Sequence, residues 1–71
     1  MNYVIIEMQT NAQGTTAIAT PAVYDNDVTA EAEFLFKSGY ARQSGLPCHS
    51  VVLMNQEGKQ IARKAFVVEE E

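Results

Sequence analysis

Cys48-His49 sets a thiol beside an imidazole, the one adjacent nucleophile-and-base pair in the chain. In such a pair the imidazole would take the thiol proton and leave a reactive thiolate. Consecutive residues of a strand point to opposite faces, however, so within a strand the two side chains cannot share a good hydrogen bond. A small thiol and a histidine at a strand start explain the pair without catalysis. The same two residues, with Asp25 and Asp27, are the candidate metal ligands. No CxxC, HxH or HExxH spacing accompanies them. Asp25-Asn26-Asp27 resembles the opening of a calcium loop, but the glycine and closing glutamate are missing, and helix capping accounts for these residues. Glu31 and Glu33 are two apart, so on a helix they do not face each other as paired carboxylates would. Gly14 and Gly58 are isolated turn glycines with no phosphate-cradling motif around them. Tyr3, Tyr24 and Tyr40 fit packing or interface roles before base stacking. The sequence thus assigns no catalytic residue, no cofactor site and no metal site.

The elements that would position these groups are clearer. Tyr3 to Thr10 alternates with period two and is rich in Ile and Val, as strands are. Val4, Ile6 and Met8 point one way, and Tyr3 and Ile5 the other. Asn11-Ala12-Gln13-Gly14 forms a turn, and Thr15 to Tyr24 a second, weaker strand. Pro21 cannot donate to a ladder, which puts that strand at a sheet edge. Asp27 or Thr29 caps a helix predicted over Val28 to Gln43, with Glu31 and Glu33 near its positive end and Arg42 near its negative end. Gly45 and Pro47 end it. Val28, Ala32, Leu35, Phe36 and Gly39 form the apolar stripe expected to face the sheet, with Gly39 allowing close approach. Phe34 lies off that stripe, open to a partner. A second hairpin follows, Cys48 to Asn55 and Lys59 to Val68, joined by Asn55-Gln56-Glu57-Gly58.

The order ββαββ predicts an α+β two-layer sandwich. A four-stranded antiparallel sheet, order 2-1-3-4, carries one helix on one face. The 71 residues make one domain, with an acidic tail at Glu69, Glu70 and Glu71. Such a chain buries only about 60% of the surface its unfolded form exposes. One cysteine and one histidine offer neither an internal disulfide nor a metal set, so self-association is the remaining support. A formal net charge of −4, with five scattered basic residues, opposes binding to nucleic acid or an anionic membrane. No secretory h-region and no stretch of about 20 apolar residues occurs, and a single thiol suits a reducing compartment, so a cytoplasmic location is expected.

Met1 to Thr10, the turn to Thr15, the run Ala30-Glu31-Ala32-Glu33, and Pro47-Cys48-His49-Ser50-Val51-Val52 leading to Gly58 carry a resemblance across most of the chain. It is similar to small uncharacterised proteins encoded in bacterial, phage and other mobile genomes. In these the segment before the third strand often reads Pro-x-His-x-Ala-Val, while their alanine-rich helix end differs from Ser38-Gly39-Tyr40 here. The resemblance implies a ββαββ fold and no known activity.

Three roles follow as expectations. The first is a non-enzymatic accessory module acting as a homodimer or higher homo-oligomer, its interface drawn from Tyr3, Ile5, Phe34, Val52 and Met54. The second is a small-ligand site or minor enzyme with a pocket near Tyr40, Cys48 and His49. The third is an acidic inhibitor of a host protein, centred on Glu69, Glu70, Glu71, Asp25 and Asp27.

Overall fold

The computed structural model describes residues 1–68; the tail at Glu69, Glu70 and Glu71 lies outside them. It is an α+β fold with five antiparallel strands and one helix. Strand β1 (Tyr3–Thr10) is followed by two short strands, β2 (Thr16–Ile18) and β3 (Ala22–Tyr24). Helix α1 (Asp27–Gln43) comes next, then β4 (Cys48–Asn55) and β5 (Gln60–Val67). The sheet order is β2-β1-β4-β5, with β3 also paired to β1.

The expected second strand is therefore two, and the four-stranded layout becomes five-stranded. β2 and β3 lie along the same edge of β1, Met8 opposite Ile18 and Val4 opposite Val23. Thr20-Pro21 separates them, because proline has no N–H for the ladder. The Ala19 N–H still donates to the Glu7 carbonyl at 2.9 Å, which holds the broken edge in line.

Both hairpins turn by one device. Asn11 accepts from the N–H groups of Gln13 and Thr15 through its side-chain oxygen, each at 3.0 Å. Asn55 accepts from Glu57 and Lys59 at 2.9 and 3.0 Å. The glycine three residues on, Gly14 or Gly58, has φ of 82° or 84°. A side chain with a Cβ is strained in that left-handed region. Gly58→Ala is expected to lower stability by about 1–2 kcal/mol, read as a lower midpoint in urea.

Asn26 caps the helix, accepting from the Thr29 N–H at 2.7 Å; neither Asp27 nor Thr29 does so. Asn26 has extended backbone just before the first turn, so its side chain reaches the free amides. Ser44 closes the other end.

The face the helix buries is not the expected one. Ala30, Phe34, Ser38 and Ala41 are buried, whereas Val28, Ala32, Leu35, Phe36 and Gly39 face outward. Small residues decide this. Ala30, Ser38 and Ala41 let the helix sit close to the sheet, so that one large side chain, Phe34, fills the gap. The Ser38 hydroxyl donates back to the Phe34 carbonyl at 2.7 Å and so tolerates burial. Gly39 does not serve close approach to the sheet, since a Cβ there would meet nothing within 4 Å.

Phe34 packs with Ile5, Val51 and Leu53, and Tyr3, Tyr24, Ala62 and Phe66 surround this core. The registers Ile5 opposite Leu53 and Leu53 opposite Ala62 place the helix-side residues in one layer. Among the described residues no helix is long and apolar enough to cross a membrane.

Candidate functional site

The sheet has a second face, turned away from the helix. Alternation along β1 and β4 assigns Val4, Ile6 and Met8 to it, opposite Met54, Val52 and Ser50. These five apolar side chains are half-buried. Val23 and Ile18 extend the patch across the edge strands and are exposed. On β5, Ala65 and Val67 continue it, and Arg63, opposite Val52, is its one cation.

Four large apolar side chains (Ile5, Phe34, Val51 and Leu53) fill the core. Among the described residues ten large apolar side chains are at least half exposed, and three of them, Ile18, Val23 and Val67, adjoin the half-buried five on this face. Scattered exposed apolar side chains are ordinary, but a contiguous apolar face of this breadth marks an interaction surface.

Of the expected interface residues, Val52 and Met54 lie on this face. Tyr3, Ile5 and Phe34 do not. Tyr3 and Ile5 are on the helix side, Ile5 fully buried, and Phe34 is the centre of the core. The physical reason is the register. Ile5 aligns with Leu53, while Ile6 aligns with Val52, so Tyr3 and Ile5 cannot share a face with Val52 and Met54.

The expected pocket of Tyr40, Cys48 and His49 does not assemble. Cys48 lies on the open face opposite Thr10, and His49 on the helix face opposite Gln9. Tyr40 is on the outer side of the helix, against Phe36, ring centroids 4.9 Å apart. Three surface hollows, of about 470, 350 and 370 Å³, are lined by other residues than Cys48 and His49. Asp25 is exposed, and Asp27 occupies the first turn of the helix. Among the described residues no three His, Cys, Asp or Glu side chains gather as a metal site would require.

The structure adds one polar constellation not foreseen. His49 is 4% exposed, and its two ring nitrogens meet different partners. Nε2 lies 2.5 Å from Glu7 Oε2, and Nδ1 lies 3.0 Å from Ser44 Oγ. Carboxylate, imidazole and hydroxyl in series are the parts of a nucleophilic triad. The surroundings oppose that chemistry. Ser44 sits at the helix C-terminus, whose negative end disfavours an alkoxide or oxyanion. Its Oγ also lies 2.9 Å from the Ala41 carbonyl and accepts from the Leu46 N–H at 3.4 Å.

Hydrogen counting defines what the series does instead. The Ser44 hydroxyl has one hydrogen. Given to Ala41, it obliges Nδ1 to donate, and both ring nitrogens then donate, to Ser44 and to Glu7. Given to Nδ1, it leaves the ring neutral with Nε2–H toward Glu7. In either arrangement both ring nitrogens are satisfied, and the end of the helix is tied through β4 to β1. The sequence signal was Glu7, the one charged residue of β1, on the helix-facing side with Tyr3 and Ile5. A carboxylate there needs a partner.

Comparison with models of protein families, with curated proteins and with solved structures finds no match to this chain.

Proposed function

We propose that the chain is a non-enzymatic interaction module whose open sheet face packs against that of a second copy. The observation that carries this reading is the continuous patch from Val23 through Val4, Ile6 and Val52 to Val67, beside a core of only four large apolar side chains. Two such faces pack about 10 Å apart with their side chains interdigitated. For a domain this small, that burial supplies the apolar contact its own core lacks.

The alternative of joining copies edge to edge is opposed by charge and by proline. Antiparallel pairing of β5 with itself, faces matched, sets Arg63 against Arg63 or Lys64 against Lys64 in its central registers. Like charges directly opposite are destabilising. The other edge is interrupted at Thr20-Pro21.

Sedimentation velocity at micromolar concentration tests the reading, with wild type expected above monomer mass. Val52→Glu separates assembly from folding. Position 52 lies opposite Arg63, so the new carboxylate finds a cross-strand partner within one copy. In a dry interface the same pair is a desolvation penalty. Self-association is expected to weaken at least about thirtyfold, the loss of a contact worth about 2 kcal/mol. A folded wild-type monomer over that range would reject the proposal.

A further inference from the structure

The helix carries a second apolar stripe that the fold leaves bare. Val28, Leu35 and Phe36 are 75%, 58% and 60% exposed. Val28, Ala32, Leu35 and Gly39 recur at steps of four, three and four residues, the spacing of helices that pack along a common seam. At 3.6 residues per turn this stripe lies about 135° around the helix from Ala30, Phe34, Ser38 and Ala41. It turns away from the sheet, with Leu35 at its margin bordering the hollow that Ile61 and Ala62 also line.

Gly39 supplies an independent observation. A glycine inside a helix weakens it. Nothing among the described residues requires glycine at 39, because a Cβ there would meet open space and the residue is not among those with positive φ. A hollow of about 370 Å³ lies over it, walled by Leu35, Phe36, Tyr40 and Gln43. Its size and lining suit an aromatic or aliphatic side chain from outside.

We infer that this stripe pairs with the same stripe of a second copy, helix against antiparallel helix, about a twofold axis near Leu35. Charge selects the direction. Asp27 stands in the first turn and Arg42 in the last. A parallel pair would set acid beside acid and align the two helix dipoles. The antiparallel pair sets Asp27 and Glu31 toward the Arg42 end of the second helix and opposes the dipoles. The same register brings Ala32 against Gly39 of the second copy, small against small, so the axes approach closely. Phe36 then lies over the hollow beside Gly39 of that copy.

The helix contact stands without the sheet contact. Used together, which rests on the proposed function, the two lie on opposite sides of the molecule. Two isologous contacts so placed add copies in a row and do not close a ring.

Sedimentation velocity across a concentration series, with circular dichroism to confirm folding, tests this with two kinds of variant. Leu35→Lys with Phe36→Lys removes only exposed side chains. Wild type is expected to grow in twofold steps, this double variant to stop at the sheet-paired dimer, and Val52→Glu to stop at the helix-paired dimer. A mass distribution unchanged by the Leu35 and Phe36 substitutions overturns the helix contact, whatever Val52→Glu does. One unchanged by Val52→Glu, yet reduced by the helix substitutions, supports the helix contact and rejects the sheet-face reading. Gly39→Leu gives a second, opposed readout. It is expected to raise the melting temperature of the dilute chain and to weaken helix-mediated association at least tenfold. Association left intact by Gly39→Leu overturns the close antiparallel contact.

Discussion

Phe34→Ala is expected to lower the stability of the fold by about 3–5 kcal/mol, whereas Phe36→Ala in the dilute chain changes it by less than about 0.5 kcal/mol. The two phenylalanines are two residues apart on one helix and differ in what surrounds them. Phe34 is 3% exposed and packs with Ile5, Val51 and Leu53; Phe36 is 60% exposed and touches Tyr40. Truncating Phe34 opens a cavity whose neighbours on the helix, Ala30 and Ala41, are too small to refill it. A 71-residue domain has roughly 4–10 kcal/mol of stability in all, so this one loss brings the chain close to unfolding at room temperature. Urea titration of both variants at low concentration measures the contrast. Equal midpoints would mean that the helix does not bury the Ala30–Ala41 stripe.

That contrast also shows where sequence reasoning succeeded and where it failed. β1 and β4 were legible because each is a run rich in apolar residues closed by an Asn-x-x-Gly turn, and local chemistry alone sets those turns. The break at Thr20-Pro21 was half legible: proline marked an edge, but whether the edge bends or splits depends on what Ala19 can still reach on β1. The helix face was not legible from hydrophobicity. Val28, Leu35 and Phe36 make the greasier stripe, yet close packing against a sheet favours the stripe of small residues around one large one. Sequence order likewise could not reveal which strand face meets the helix, since Tyr3 and Ile5 are as apolar as Val4 and Ile6. That Cys48 and His49 diverge followed from alternation alone. Glu7 and His49, 42 residues apart, meet only through the pairing of β1 with β4, so their contact waits on topology.

The Glu7–His49 contact carries the second large effect. Glu7→Ala is expected to destabilise the fold by about 2–3 kcal/mol, because it strands a buried imidazole N–H whose ring is almost wholly enclosed. His49→Leu should do less harm. The Glu7 side chain keeps 18% of its surface and can turn to water once the ring is gone. Ser44→Ala should do least, since Ser44 is exposed and water can replace its oxygen at Nδ1. The double variant Glu7→Ala with His49→Leu decides between a structural tie and a mere contact. Replacing both partners with apolar side chains leaves nothing stranded, so its loss should fall below the sum of the single losses by about 1–3 kcal/mol. Equilibrium urea unfolding of the four chains closes the cycle. Strict additivity would mean that Glu7 and His49 each find other partners and that their contact contributes nothing. Coupling of the expected size would make the Glu7–His49 pair a buried polar tie between β1 and β4, formed on the helix-facing side of the sheet where Ile5 and Val51 also lie.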